Sequence, residues 1–194
     1  MPTGPAAPEA EVLAFRDPAA FEAWLDDHVD LGAGVWLKLA KAGTGIPSLT
    51  SDEAVDVGLC YGWISGQRRS LDETYYLQKY VPRRPRSRWS QVNVAKVAEL
   101  EAAGRMRPSG WAEVDAAKAD GRWAAAYESQ RTATVPPDLA AALAASPGAA
   151  RAFEALGRTE RYAVLLKLAT ARTEKGRASQ LERALAALEA TDVA

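Results

Sequence analysis

The chain is short of the residues that build metal centres and disulfides. Its 194 residues hold one cysteine, Cys60, and one histidine, His28. A lone cysteine excludes an intramolecular disulfide, and one cysteine with one histidine cannot furnish a structural zinc site. Charge of either sign is equally lacking in excess, since 24 Lys and Arg face 25 Asp and Glu. No global field therefore pulls the chain toward nucleic acid or an anionic membrane, and any electrostatic partner must read a local patch. Nowhere do about 18 apolar residues run without charge, and the N-terminus has no basic segment ahead of an apolar one, so the expected location is cytoplasmic. The phosphate-cradling glycine motifs and the G-x-S-x-G elbow of serine hydrolases are absent too, and no cofactor is expected.

What is present reads as an α+β protein: a small antiparallel sheet packed with helices, followed by a helical C-terminal part. Residues 1–10, rich in Pro, Ala and Gly, read as a loose tail. Asp17 and Pro18 open a helix whose Phe21, Trp24, Leu25 and His28 share a face. The run VWLKLAK alternates Val35, Leu37 and Leu39 with Trp36, Lys38 and Ala40, as a half-buried strand does. Thr50 and Glu53 stand at capping-box spacing before a short helix that leaves at Gly62. Residues 63–81 read as a hairpin with QRRSLDE as its turn, and Pro82 and Pro85 send RRPRSRW out of the sheet as a loop. Ser90 is placed to cap the next helix, and Pro108 opens another. The prolines of RTATVPPD mark a linker, dividing an α+β core with a basic loop, residues 11–130, from a helical domain or extension, residues 138–190. In the latter, Leu165 and Leu166 follow Tyr162 at helical spacing, and Leu181, Leu185 and Leu188 form one stripe.

Several motifs in order, FEAWLDDH, VWLKLAK, LCYGWISG, PRRPRSRWSQVN, GRMRPSG, AKADGRW and RYAVLLKLATARTEKGR, resemble the YdeI/OmpD-associated family of bacterial proteins. The resemblance spans nearly the whole folded chain. It implies bacteriocin protection, antimicrobial-peptide tolerance or association with an outer-membrane porin, without an assigned activity. The family pattern reads GWIDG where this chain has Ser65, so chemistry resting on that acidic residue is lacking. The late basic motif is also denser in the family than TARTEKGRASQLER.

The strongest chemical signal is local charge. Between residues 68 and 88 lie seven basic residues, Arg68, Arg69, Lys79, Arg83, Arg84, Arg86 and Arg88, against Asp72 and Glu73, leaving an excess of five. On a proline-stiffened loop with aromatic residues interleaved, such a cluster suits a phosphate, a carboxylate or single-stranded nucleic acid. The competing reading is a solvated loop whose arginines pair with acids elsewhere. Ser87, Ser90 and Asn93 beside Trp89 could orient a polar ligand, or could serve as cap and loop supports around a core anchor. Cys60, between apolar neighbours and with no dyad spacing to His28, reads as a small buried hydrophobe.

The expectation is a stress or envelope-protection protein that binds rather than catalyses, with ligand-binding residues Trp63, Tyr76, Arg83, Arg84, Arg86, Arg88, Trp89 and Asn93. Its partner would be an anionic small molecule or protein, or an aromatic one, with no catalytic residues, no metal and no membrane insertion. The alternatives are a small-molecule enzyme and a nucleic-acid-binding module, the latter marked by affinity that falls steeply with salt.

Overall fold

The computed structural model describes residues 10–171 and 173–192, so the expected loose tail lies almost wholly outside the described residues. The chain divides into two compact units, one of residues up to 89 together with 93–125, the other of 90–92 with 126 onward.

The first unit is built on a four-stranded sheet: β1 (Val12–Leu13), β2 (Val35–Ala40), β3 (Trp63–Ser70) and β4 (Tyr75–Pro82), in the order β1-β2-β4-β3. The pair β2 with β4 and the hairpin β3 with β4 are antiparallel, whereas β1 runs parallel to β2. The sheet is therefore mixed, not purely antiparallel. β1 escapes a sequence reading because two residues show no alternation; its place is fixed by pairing, with the Trp36 N–H donating to the Glu11 carbonyl at 2.8 Å.

Around the sheet stand α1 (Pro18–His28), α2 (Ser51–Cys60), most of α3 (Gln91–Ala102) and α4 (Pro108–Ala119). The helix signals act as expected. Asp17 Oδ1 accepts from Ala20 N–H at 2.9 Å, and Thr50 with Glu53 forms a complete capping box, each satisfying amides that a helix start leaves without partners. The core collects Phe21 and Leu25 from α1, Val57 and Leu59 from α2, Val35, Leu37 and Leu39 from β2, and Tyr80 from β4. Alternation along β2 thus decides which face is buried.

Two close backbone approaches demand glycine. At Gly34, φ is +65° and an added Cβ would lie 2.2 Å from the Tyr80 carbonyl oxygen. At Gly110, in α4, it would lie 2.1 Å from the Cys60 carbonyl oxygen at the end of α2.

The second unit is helical: α5 (Pro137–Ala145), α6 (Pro147–Ala155), α7 (Arg158–Ala169) and α8 (Glu174–Asp192). They enclose a core of Leu139, Ala149, Phe153, Leu165, Leu168 and Leu188, with Leu181 and Leu185 packed beside it. Arg177 clamps the bundle. Its Nε and Nη2 donate to both Asp138 carboxylate oxygens, at 2.6 and 2.8 Å, and its Nη1 donates to the Leu168 carbonyl at 2.8 Å. Hydrogen bonding to Arg177 holds the Asp138 carboxyl below its usual range. Among the described residues no helix is long and apolar enough to cross a membrane.

Candidate functional site

The basic stretch folds into two places at opposite ends of β4, both in the first unit. The first is the loop after β4. Here the Arg84 carbonyl accepts from Ser87 N–H at 2.8 Å, and Ser87 Oγ accepts from Arg84 N–H at 2.9 Å. The result is a tight turn, Arg84-Pro85-Arg86-Ser87. Pro85 presets its own φ, and the next residue must take a left-handed conformation, which a turn of this kind ordinarily gives to glycine. Arg86 occupies it instead, with φ at +83°, the one positive φ at a non-glycine residue among the described residues. For an L-residue that conformation costs about 1–2 kcal/mol.

The base of the turn is fastened from below. Arg83 is only 5% exposed, with its guanidinium 3.6 Å from the centre of the Trp89 ring and its Nη1 donating to the Arg88 carbonyl at 3.1 Å. Trp89, 1% exposed, packs on Trp123 at 4.9 Å between centroids. Arg122 donates from Nη1 to the Ser87 carbonyl at 2.9 Å. Pinned at both ends, the turn holds Arg84, Arg86 and Arg88 exposed to solvent. Among the described residues none of the three has an ion pair.

The predicted site residues therefore fall into separate groups. Arg84, Arg86 and Arg88 come together on the turn. Arg83 and Trp89 form its buried foundation, where neither ring nor guanidinium offers a face to a ligand. Trp63 is a core residue whose indole N–H donates to the Val29 carbonyl at 2.9 Å. Tyr76 lies near the far end of β4, roughly 20 Å from Pro82 at strand spacing. Asn93 is half-buried in α3, and Ser90 pairs with Tyr127 in an isolated parallel bridge.

The second place is the turn end of the hairpin. QRRSLDE is not all turn: β3 continues through Arg69 and Ser70, and the reversal is confined to residues 71–74. Cross-strand stacking carries the strand onward, with the Arg68 guanidinium 3.8 Å from the Tyr76 ring centre and that of Arg69 4.4 Å from Trp36. Trp36 is also approached by Lys79 Nζ, which explains why a tryptophan on the solvent side of β2 is only 9% exposed. A register shift between Ser65 and Arg68 adds one residue to β3, and the Gln78 side chain closes it by donating to the Gly66 and Gln67 carbonyls at 2.9 and 3.2 Å. A bulge re-aims the side chains beyond it, here placing Arg68 on the face of Tyr76 and Arg69 on that of Trp36.

Cys60 is buried, and desolvation pushes its thiol up to about 11, the opposite of what a thiolate nucleophile needs. His28 stacks flat on Trp24, 4.4 Å between centroids, with Nδ1 2.7 Å from the Trp24 carbonyl. Among the described residues no cluster of three or more His, Cys, Asp or Glu could hold a metal ion.

Comparison with known families assigns both parts of the chain. Residues 13–113, more than half of it, match the family described as Domain of unknown function (DUF8412). The chain belongs to that family. Residues 132–191 match the family described as Bacteriocin-protection, YdeI or OmpD-Associated, so the family expected from the motifs is present in the C-terminal part. Its reach is narrower than the motifs suggested: of the words quoted for it, RYAVLLKLATARTEKGR lies in that match, while FEAWLDDH, VWLKLAK, LCYGWISG, PRRPRSRWSQVN and GRMRPSG lie in the DUF8412 match. No curated protein and no solved structure gives a significant match. Both basic places belong to the DUF8412 part.

Proposed function

We propose that this is a cytoplasmic stress or envelope-protection protein that works by binding, and that Arg84, Arg86 and Arg88 are its contact for an acidic partner. The observation that carries the reading is Arg86. A strained left-handed position that glycine would fill at less cost is occupied by arginine, on a turn fastened from below by Arg83, Trp89 and Arg122. Strain of this kind persists where surrounding structure over-determines it, and it concentrates at binding sites. The pinned backbone also lowers the ordering cost of engaging a partner.

An exposed turn suits an anionic surface carried by a protein better than a small molecule, which needs walls around it. Single-stranded nucleic acid is less well served, because, of the interleaved rings, Tyr80 and Trp89 are buried, and Tyr75 and Tyr76, half-buried at the far end of β4, are covered by Lys38 and Arg68. The presence of a bacteriocin-protection domain supports a protective role.

The test uses fluorescence anisotropy of a labelled oligo-glutamate peptide and a labelled single-stranded oligonucleotide of equal charge, on wild type and on Arg84→Ala with Arg86→Ala and Arg88→Ala. The expected result is peptide binding that weakens about tenfold or more in the variant, given about 1.5 kcal/mol or more for each charged hydrogen bond. Equal peptide affinity of the two proteins would refute the proposal.

A further inference from the structure

We infer that the cleft at the start of α7, in the second unit, is a binding site for a small carboxylate that carries a compact apolar group. Its volume is about 220 Å3, below the range of drug-sized ligands and sufficient for a single ring or a short branched chain. Ala133, Leu156 and Leu165 supply apolar walls, and Arg158 and Arg161 supply the charge. All five lie within the match to the bacteriocin-protection family, residues 132–191, so the site is separate from the arginine turn.

The helix itself gathers these groups. Arg158, Arg161, Tyr162 and Leu165 stand at i, i+3, i+4 and i+7 of α7 and so share one face. Arg161 is held in place: its Nη2 donates to the Glu154 carbonyl at 2.8 Å, and its guanidinium lies 5.3 Å from the centre of the Phe153 ring. Its Nε is buried with no hydrogen-bond partner among the described residues, an arrangement that is costly for a cation and that an anion alongside offsets. Among the described residues neither Arg158 nor Arg161 forms an ion pair.

The other polar side chains of the lining have partners within the protein. Tyr162 Oη donates to the Glu128 carbonyl at 2.9 Å, and Gln130 Nε2 donates to the Thr159 hydroxyl oxygen at 3.3 Å. The guanidinium groups remain as the charged donors, and their fork matches the two oxygens of a carboxylate, with apolar walls for what the carboxylate carries. Three acidic residues stand near in the chain. Glu128 Oε2 accepts from Thr134 N–H at 2.9 Å and Glu160 Oε2 from Gly157 N–H at 3.1 Å, while Glu154 is exposed. Their charges weaken the field at the cleft, but none of these carboxylates lines it. The apolar walls therefore supply part of the affinity, which is why the ligand needs an apolar group as well as a charge.

The experiment follows amide NMR signals of the full chain during titration with benzoate, with benzamide as its uncharged counterpart and with acetate as a carboxylate lacking the apolar group, all at constant ionic strength. Wild type is compared with Arg158→Gln, with Arg161→Gln, and with the Arg84, Arg86 and Arg88 alanine variant. Expected are saturable benzoate shifts at residues 130–133 and 156–165, affinity for benzamide and for acetate about tenfold or more weaker, a loss of about tenfold in each single variant, and no loss in the turn variant. Benzamide or acetate binding as tightly as benzoate would overturn the proposal, as would benzoate shifts that miss α7 or that vanish only in the turn variant. Should Arg161→Gln fail to fold, the exposed Arg158 decides, since unchanged affinity in Arg158→Gln is equally fatal.

Discussion

Replacing the buried Gly110 by alanine should destabilise the first unit more than adding one methyl group at an exposed α4 position. The new Cβ would stand 2.1 Å from the Cys60 carbonyl oxygen, 2.8 Å from its carbon and 2.9 Å from the Leu59 carbonyl oxygen. All three are backbone atoms, so no side chain can swing away. Ordinary contact requires about 3.5 Å, which means the end of α2 and the start of α4 must part by more than 1 Å. That movement would pull on the Arg107 N–H bond to the same Cys60 carbonyl, 3.0 Å, and on the bond from Tyr61 Oη to Asp26, 2.6 Å. Overpacking costs about 1–3 kcal/mol, here near the top of the range, and the better helix propensity of alanine returns up to about 1 kcal/mol. The net loss is about 2 kcal/mol, which lowers the Tm of a unit of this size by about 6–12 °C. Differential scanning calorimetry measures it, with Gly32→Ala as control because nothing lies within 4 Å of that position. A Tm for Gly110→Ala within 1 °C of the control would refute the backbone contact between α2 and α4.

Arg86→Gly should leave Tm unchanged or raise it by a few degrees, because relief of about 1–2 kcal/mol of left-handed strain outweighs the roughly 0.5–1 kcal/mol of extra chain entropy that glycine loses; the same variant should bind the oligo-glutamate peptide more weakly, by anisotropy. Cys60 should resist alkylation by iodoacetamide at pH 8 and react fully only in denaturant, since burial raises its thiol to about 11; rapid labelling of the native protein would contradict that. In the second unit the Asp138 carboxyl is lowered in the folded state, so its stabilising effect is complete above the unfolded carboxylate range, near pH 4, and is lost as pH falls through the folded value. Asp138→Asn should therefore flatten the acid limb of a stability profile followed by circular dichroism, with a modest loss at pH 7 because the pair is about one-third exposed.

The parts of the fold visible in the sequence are those governed by local rules. Asp17 with Pro18 and Thr50 with Glu53 announce their helices because capping chemistry is contained within four residues, and the alternation in VWLKLAK names the buried face because a strand has period two. The parts that were hidden depend on partners distant in the chain. β1 exists only through its pairing with Trp36 and Leu37. Arg69 looks like turn material until the Trp36 ring, 33 positions earlier, is placed beneath it. The bulge after Ser65 leaves no mark in the sequence beyond Gly66, and its closure rests on Gln78. At the candidate site, charge excess and the prolines single out the loop after β4, yet composition could not divide seven similar cations into a foundation at Arg83, a tip at Arg84, Arg86 and Arg88, and a set of Arg68, Arg69 and Lys79 laid on Tyr76 and Trp36. The sequence-level trace of that division is the spacing P-R-S after Arg84, where a residue other than glycine follows the proline of a tight turn.

On the function proposed above, the exposed arginines of the turn, held by a buried scaffold, make the contact with an acidic partner. The most direct measurement is the salt dependence of oligo-glutamate binding by wild type and by the Arg84, Arg86 and Arg88 alanine variant, both confirmed folded by circular dichroism. Affinity of wild type should fall with added salt, and the variant should show both lower affinity and a shallower dependence. Identical salt dependence and affinity in the two proteins would contradict it.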